Sequence, residues 1–377
     1  MKSAGRRIAV GHTIYAFKEG GMERGLLNII NYGRCDQFSH VIICLTEAGR
    51  FAKQITSPFC RVVELLKKDG HDLGLPGRIA RIARAHQLDV LHARGWPALV
   101  ETALAARLAN VATTVYGFHG KTQADLDGIN PLRRICQAAL IRSYTVVTTL
   151  NERMRSDLAR ESYLSPERIR VISNGVDLDR FRPRADKGEL RSRYDLPRDR
   201  FIVGNVARLD PVKNHEVVFR AISQIPKLAR PFFVIVGEGG YRSHLEQSIR
   251  SLGLGGDVRL MGHRDEIPEL LNCMDVYIQS SFYEGFSNTI LEAMACGLPV
   301  VVTDVGGTRD LLYKEHNDFL FRPEETEALV GMLLKLVGDR SFRNAMGNQG
   351  RSHVKERFSV QSMVAQYEDM YEGMVCC

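Results

Sequence analysis

The 377-residue sequence lacks the features that are typical of membrane-spanning proteins, of secreted proteins and of proteins stabilised by a structural metal ion. It has no run of about 18 apolar residues that could cross a bilayer as a helix. Its eight cysteines include no Cys-x-x-Cys pair, so neither a zinc site nor a redox pair is indicated. The apolar stretch after Arg7 is broken by Gly11, His12 and Lys18 and is followed by no small-residue cleavage site. We therefore expect a cytoplasmic protein.

Tryptophan is also scarce, and this narrows the class of partner. Trp96 is the only tryptophan, and no basic segment is interleaved with aromatic residues, so we expect no nucleic-acid partner. Residues 1–177 nevertheless hold 25 Lys and Arg against 16 Asp and Glu, whereas residues 178–377 hold 26 against 28. The basic excess of the first half suits an anionic membrane surface or a phosphorylated substrate.

Two segments of the first half carry basic residues at helical spacing. Arg78, Arg81 and Arg84 fall at every third position beside an Ile/Ala face, and residues 131–142 form a second such strip. Both a solvated helix face and a peripheral contact with the inner face of an anionic membrane fit this pattern.

Short apolar runs alternate with amphipathic stretches along the chain, which predicts an α/β architecture with parallel sheets. The predicted strands of the first half are 7–12, 40–45, 60–65, 90–92, 112–116 and 144–149. Those of the second half are 201–206, 232–236, 258–261, 276–279, 300–303 and 317–321. The charged, proline-containing stretch 180–200 is predicted to be a linker, and residues 359–374 a final helix.

Ligands of open α/β sheets bind where strands end and helices begin, and three segments fit this rule. Gly20-Gly21 follows the first predicted strand and precedes a helical pattern, so its backbone could approach a phosphate closely. The segment is not Gly-x-Gly-x-x-Gly and has no Walker lysine, which weakens dinucleotide and P-loop interpretations. Taken alone, the Gly-Gly pair is better explained as an ordinary strand-to-helix turn.

The second segment contains Arg208 and Lys213, which lie on either side of a proline-containing loop just before a predicted helix. A guanidinium and an ammonium group together suit a diphosphate, whose charge must be neutralised as it leaves. Taken singly, either residue could be a surface cation.

The third segment, residues 281–295, contains two acids on either side of a helix start. Glu284 lies in the loop, Ser287 to Thr289 begin the helix and offer anion-binding amides, and Glu292 lies about one turn inside. Two carboxylates beside a phosphate-binding helix end suit a sugar nucleotide. The alternatives are a Thr289–Glu292 capping box and, for Glu284, an exposed loop acid.

The segment from Glu284 to Glu292 and on through Ala-Met-Ala-Cys-Gly-Leu-Pro-Val resembles the signature of the retaining family 4 glycosyltransferases (glycosyl transferases group 1). The resemblance extends to residues 173–177, 208–213, 236–239 and 304–307 and so covers nearly the whole chain. Residues 20–23 and 116–120 are most similar to the sugar transferases of bacterial exopolysaccharide loci, which extends the comparison to exopolysaccharide and lipopolysaccharide biosynthesis.

This resemblance implies a GT-B fold, in which two Rossmann-like, doubly wound domains face a cleft. Residues 1–175, completed by a C-terminal helix at 359–377, would form the acceptor domain, and 176–358 the nucleotide-sugar donor domain. The chain would be a hexosyltransferase that moves a sugar from a nucleotide-sugar to a lipid-linked glycan or polysaccharide precursor. UDP-sugar is the preferred donor and GDP-mannose the alternative. The nucleotide-sugar is a substrate, so no cofactor is expected.

The resemblance also implies roles for individual residues. Arg208 and Lys213 would hold the donor diphosphate, Glu284 would lie near the hydroxyls of the transferred sugar, and Glu292 would bind ribose. The remaining donor-binding residues would be Gly20, Gly21, Arg264, Ser287, Asn288 and Thr289. His119 follows a predicted strand end where the family places a histidine beneath the donor sugar.

The family retains anomeric configuration, and no carboxylate stands out as a covalent nucleophile. We therefore expect same-face attack, in which the acceptor hydroxyl enters as the diphosphate leaves. Asp125-Leu-Asp127 and Asp177-Leu-Asp179 resemble a metal-binding motif of another glycosyltransferase fold, but loop acids are the preferred interpretation, and we expect no required metal. The alternatives are a sugar-nucleotide epimerase or hydrolase on the same fold, and a non-catalytic scaffold subunit.

Overall fold

The computed structural model describes residues 6–18, 20–68, 70, 72–120 and 131–375, without the side chains of 131–134, 314 and 317. The chain divides into two compact units. The first comprises Met1–Gly175 and Val360–Cys377, and the second comprises Val176–Ser359. Among the described residues, no helix is both long enough and apolar enough to cross a membrane.

The first unit is built on a parallel sheet. Its strands are β1 (Ile8–Ile14), β2 (Phe38–Cys44), β3 (Cys60–Glu64), β4 (Val90–Arg94), β5 (Thr113–Gly117), β6 (Val146–Thr149) and β7 (Ile169–Val171). They lie in the order β3-β2-β1-β4-β5-β6-β7, and each neighbouring pair is parallel. This is the doubly wound order of a Rossmann fold with one added strand. The order reverses between β1 and β4, so the carboxyl ends of these two strands lie at the switch point.

The second unit repeats the scheme. Its strands are β8 (Ile202–Val206), β9 (Phe232–Val236), β10 (Val258–Leu260), β11 (Val276–Gln279), β12 (Val300–Thr303) and β13 (Leu320–Phe321). Their order is β10-β9-β8-β11-β12-β13, again all parallel. The prediction of two parallel, doubly wound sheets is therefore confirmed. The adjacent strands β8 and β11 mark the switch point of this sheet.

Helices connect the strands. In the first unit they are Gly21–Tyr32, Leu75–Ala85, Leu99–Ala109, Pro131–Arg142, Glu152–Ser162 and Val360–Val375. In the second unit they are Lys187–Arg193, His215–Gln224, Arg242–Ser251, Ile267–Cys273, Asn288–Ala295, Thr326–Gly338 and Arg340–Arg357. Short 3-10 turns occur at Arg50–Gln54, Trp96–Ala98, Pro166–Arg168, Pro211–Lys213, Thr308–Leu311 and Lys314–Phe319.

The segment 180–200 is not a linker, and that prediction was wrong. It contains the helix Lys187–Arg193, in which Leu190 and Arg191 are buried. The Arg191 guanidinium pairs with Asp275 at 2.6 Å, and Lys187 binds the same carboxylate at 2.6 Å. Charges that read as a solvated linker are therefore part of the packing of the second unit.

The C-terminal helix Val360–Val375 packs in the core of the first unit. Its apolar side chains share one cluster with residues of β1, β2, β4 and β5. Tyr367 and Tyr371 are almost fully buried there. The last helix of the chain thus covers one face of a sheet whose first strand begins at Ile8.

Candidate active site

Lys213 lies in the loop that follows β8. Asp210 accepts a hydrogen bond from the Val212 amide at 3.0 Å and so shapes the 3-10 turn Pro211–Lys213, after which the helix His215–Gln224 begins. The Lys213 ammonium donates to Oε2 of Glu284 at 2.8 Å, with 19% of the lysine side chain and 13% of the glutamate side chain exposed. The loops after β8 and β11 therefore meet in a half-buried ion pair at the switch point.

Glu284 is held through one of its two carboxylate oxygens. Oε2 accepts from Lys213, from Gln279 Nε2 at 3.1 Å and from Ser281 Oγ at 3.2 Å. Oε1 has no hydrogen-bond partner among the described residues. The carboxylate is thus fixed on one side and can accept a hydroxyl group of a ligand on the other.

The helix Asn288–Ala295 starts beside this carboxylate and presents its positive end there. Ser287 is the N-cap, and its hydroxyl accepts from the Ile290 amide at 3.4 Å. The Thr289–Glu292 capping box is therefore wrong, because Thr289 lies inside the first turn and accepts from Tyr277 at 2.7 Å. Asn288, the first helical residue, and Thr289 remain candidates for phosphate contact.

Two of the other predicted donor-binding residues of the second unit, Arg208 and Arg264, are exposed to solvent. Glu292 is half-buried one turn inside the helix. The Arg208 side chain is 78% exposed, and its ion pair is with Asp210 at 3.9 Å. Arg264 is exposed and donates to the Met261 carbonyl at 3.3 Å. The structure thus brings Lys213, Glu284 and the helix start together and leaves Arg208 in solvent.

Two glycines bring the site loops into close backbone contact. Gly306, at φ +53°, lies so near Glu284 that an added Cβ would be 1.9 Å from the Glu284 carbonyl oxygen. Gly237, at φ +146°, stands in the same relation to the carbonyl of Ala207, also at 1.9 Å. Both positions combine a left-handed backbone with a close approach that no side chain permits. The sequence motifs at 236–239 and 304–307 therefore each need a glycine, at 237 and at 306, because the neighbouring backbone leaves no room for a Cβ atom.

Gly20 and Gly21 lie in the first unit at the turn between β1 and the helix Gly21–Tyr32. Gly20 is exposed, with an extended backbone at φ 179°, and Gly21 is the first helical residue. The Glu23 carboxylate lies so close to Gly20 that an added Cβ would be 2.2 Å from Oε2. Burial raises the pKa of Glu23.

His119 lies two residues beyond the end of β5, at the carboxyl edge of the first sheet. Both ring nitrogens are buried and have no hydrogen-bond partner among the described residues. Burial, with a smaller contribution from the Arg94 guanidinium, lowers the pKa of His119 to about 3. The ring is therefore a neutral imidazole at physiological pH. It carries no charge, and it can donate a hydrogen bond to a ligand through one nitrogen or accept one through the other.

Gln279 and Ser281 were missed as site residues. Both are buried at the end of β11, and their side chains bind the Glu284 carboxylate. A glutamine that ends an apolar strand five residues before the loop acid was the available signal. The sequence pattern by itself marks Gln279 only as the end of a strand.

The two acidic motifs compared with a metal site have different outcomes. Asp125-Leu-Asp127 lies outside the described residues. Asp177 Oδ1 accepts from the amides of Asp179 and Arg180 at 3.0 Å each, as a turn residue does. In the described ranges, no group of three His, Cys, Asp or Glu side chains is placed to hold a metal ion.

Comparison with known families covers both units. Residues 19–180 match the model of Glycosyltransferase Family 4, and residues 186–353 match that of Glycosyl transferases group 1. An Escherichia coli UDP-Gal:alpha-D-GlcNAc-diphosphoundecaprenol alpha-1,3-galactosyltransferase is 26% identical over 390 residues, which cover 100% of this chain and 99% of that protein. The putative glycosyltransferase EpsF of Bacillus subtilis is 30% identical over 208 residues, or 54% of each chain.

Solved structures share the fold. Anabaena Alr3699/HepE, crystallised with UDP and glucose, has a TM-score of 0.84 at 24% identity and covers 97% of this chain and 100% of its own. WaaG, a glycosyltransferase involved in lipopolysaccharide biosynthesis, has a TM-score of 0.74 at 16% identity, with 97% and 100% covered. With two Rossmann-like units and both family models matched, the chain belongs to the family 4 glycosyltransferases (group 1) and is a glycosyltransferase of the GT-B fold.

Proposed function

We propose that this enzyme is a retaining hexosyltransferase that moves a sugar from a UDP-sugar to a lipid-linked glycan or polysaccharide precursor. In this proposal the second unit, 176–358 in our sequence-based boundaries, binds the donor, and the first unit, 1–175 with the C-terminal helix, binds the acceptor. The observation that carries the proposal is the Lys213–Glu284 pair beside the start of the helix Asn288–Ala295. It offers a cation and a helix end to phosphate and a carboxylate oxygen to a sugar hydroxyl.

UDP is favoured over GDP as the nucleotide by two similar proteins. The E. coli relative is named for UDP-Gal, and Anabaena Alr3699/HepE was crystallised with UDP-glucose. The E. coli relative is also named for a diphosphoundecaprenol-linked sugar, which supports a lipid-linked acceptor here. Arg208, Gly20, Gly21, Arg264, Asn288, Thr289 and Glu292 keep the donor-binding roles that the family resemblance implies.

The reaction we propose is a same-face displacement. The bond between the anomeric carbon and the diphosphate oxygen breaks as the acceptor oxygen approaches from the same face, and a phosphate oxygen takes the acceptor proton. Lys213 stabilises the charge that develops on the diphosphate, and Arg208 moves from solvent to assist it. His119, neutral because of its lowered pKa, exchanges a hydrogen bond with the donor sugar. With these cations supplied by the chain, we propose that turnover needs no metal.

The test is nucleotide release from UDP-, GDP- and ADP-sugars, with and without a lipid acceptor extract and with and without EDTA. Wild type is compared with Glu284→Gln and with the control Glu269→Gln, whose carboxylate pairs with Arg184 and Arg193. Acceptor-dependent release of UDP, lost in Glu284→Gln and kept in Glu269→Gln, is the expected result. Release without acceptor would instead indicate the hydrolase, a converted donor the epimerase, and no binding or turnover a scaffold subunit.

We further propose that one face of the first unit lies on an anionic membrane surface. The helices Leu75–Ala85 and Leu99–Ala109 pack against each other, and Arg84 donates to the Leu108 carbonyl at 2.7 Å. Arg81 and Arg84 are exposed on the first of these helices, and Leu104 and Leu108 are 41% and 53% exposed on the second. Basic and apolar groups on one face suit an interfacial position at which each cation contributes about 1 kcal/mol.

Vesicle sedimentation tests the membrane contact. We expect binding to phosphatidylcholine vesicles that contain phosphatidylglycerol, and none to pure phosphatidylcholine or to DNA. Arg81→Glu should weaken this binding more than Arg220→Glu, which makes the same charge change at an exposed site of the second unit. Equal loss in the two variants would contradict a defined membrane face.

A further inference from the structure

Gln279, the last residue of β11, is 3% exposed and uses both ends of its amide within the donor half of the enzyme. Its Oε1 accepts a hydrogen bond from the Ser287 hydroxyl at 2.6 Å, and its Nε2 donates to Glu284 Oε2 at 3.1 Å. One buried side chain therefore joins the N-cap of the helix Asn288–Ala295 to the carboxylate of the neighbouring loop.

The direction of each hydrogen bond is fixed by its partners. Glu284 is an acceptor when ionised, so the amide nitrogen must face it and the amide oxygen must face Ser287. The Ser287 hydroxyl gives its proton to Gln279 and keeps a lone pair for the Ile290 amide. The chain of contacts thus runs in one direction, from the helix cap to the carboxylate.

We infer that Gln279 is a positioning residue that sets the carboxylate of Glu284 relative to the helix start, an inference that rests on the proposed function. With Oε2 held by Gln279, Lys213 and Ser281, the carboxylate cannot rotate freely, and Oε1 is aimed for a hydroxyl of the donor sugar. Gln279 thereby links the part of the site that takes phosphate to the part that takes sugar.

The side chain at this position must be both a donor and neutral. An apolar residue of the same length would fill the space, but it would leave the Ser287 hydroxyl without its acceptor and Glu284 Oε2 without one of its three donors. A glutamate would accept from Ser287 but would set a second carboxylate against Glu284, and one of the two would then bind a proton. The apolar substitution removes the donor at every pH, whereas the glutamate restores a donor when it binds a proton. The pH dependence of activity therefore tests the role of Gln279.

The experiment compares Gln279→Met and Gln279→Glu with the control Asn272→Leu. Asn272 is a buried amide of the same unit that bonds to the backbone of Arg182, Arg184 and Pro268, so its loss removes a comparable set of hydrogen bonds away from Glu284. Melting temperature, UDP and UDP-glucose affinity by calorimetry, and the pH profile of transfer from the accepted donor are measured for each.

We expect Gln279→Met to lower kcat about ten- to a hundredfold, the effect of one hydrogen bond to a charged group, while UDP affinity stays within about threefold. Gln279→Glu should shift the activity profile to lower pH, because a protonated Glu at 279 restores the donor to Glu284. Asn272→Leu should lower the melting temperature with little change in kcat. If Gln279 has only a structural role, Gln279→Met will have a changed melting temperature but a wild-type kcat, and Gln279→Glu will have a wild-type pH profile. That result would overturn the inference.

A wild-type enzyme that transfers no sugar would overturn the proposed function separately. The role of Gln279 is then judged by binding alone, since Gln279→Met should lose the affinity that UDP-glucose has beyond UDP. An unchanged difference between the two ligands would overturn it, and a protein that binds neither ligand would overturn both proposals.

Discussion

Replacing Gly306 by alanine tests whether the loop after β12 positions Glu284. The added Cβ would lie 1.9 Å from the Glu284 carbonyl oxygen, whereas ordinary contact begins at 3.4 Å, so the two loops must separate by about 1.5 Å. A displacement of about 1 Å at a reacting group can lower turnover about a hundredfold. We therefore expect Gly306→Ala to lower kcat/KM about a hundredfold or more.

Gly253→Ala is the matched control. Gly253 also has a left-handed backbone, at φ +65°, but an added Cβ there would meet no atom within 4 Å. This variant bears only the left-handed strain of about 1–2 kcal/mol, which lowers the melting temperature by a few degrees in a domain of this size. Its activity should match that of wild type.

Transfer activity and thermal unfolding, measured in parallel, separate the two effects. Gly306→Ala should lose activity well beyond what its melting temperature predicts from Gly253→Ala. If both variants show the same small thermal shift and both keep wild-type kcat/KM, then the loop contact does not position Glu284, and the reasoning is refuted.

Three further predictions concern charge. Asp275→Asn should lower the free energy of unfolding, measured by urea titration, by about 3–5 kcal/mol, because it leaves Lys187 and Arg191 without their shared carboxylate. A loss below about 1 kcal/mol would contradict this packing. Arg208→Ala should change stability by less than about 0.5 kcal/mol yet weaken UDP binding in calorimetry, and unchanged UDP binding would remove Arg208 from the donor site. Burial lowers the pKa of His40 to about 4. Below pH 6.5 the unfolded chain therefore binds a proton at this histidine that the folded protein does not bind, and about 2 kcal/mol of the free energy of unfolding is lost between pH 6.5 and 5. The urea midpoint should fall less steeply with decreasing pH in His40→Asn than in wild type.

The sheets were predictable because their strands are continuous apolar runs. Strands 232–236, 276–279 and 300–303 have the predicted bounds, since both faces of a parallel sheet are buried and the pattern is unambiguous. The short strand Ile169–Val171 was missed because it has three residues with Arg170 exposed at its centre. The predicted strand 317–321 is reduced to Leu320–Phe321 by a 3-10 turn.

Contacts between distant residues were not predictable in the same way. Local composition gave the segment 180–200 the character of a linker, because the carboxylate that pairs with Arg191 lies 84 residues away at Asp275. The site was partly visible, since Glu284 and the helix start are adjacent in sequence. The partnership of Lys213 with Glu284 spans 71 residues and follows only from the order of β8 and β11.

The burial of the helix Val360–Val375 in the first unit has a consequence for biosynthesis. The ribosome must add the 184 residues from Val176 to Ser359 before this helix exists, which takes roughly 10 to 40 s at about 5–20 residues per second. During that interval the face of the sheet that bears Val10 and Phe38 lacks the helix that covers it. A chain that is truncated before Val360 and released can therefore complete the second unit but not the first, and it presents chaperones and proteases with an apolar surface that the finished enzyme conceals.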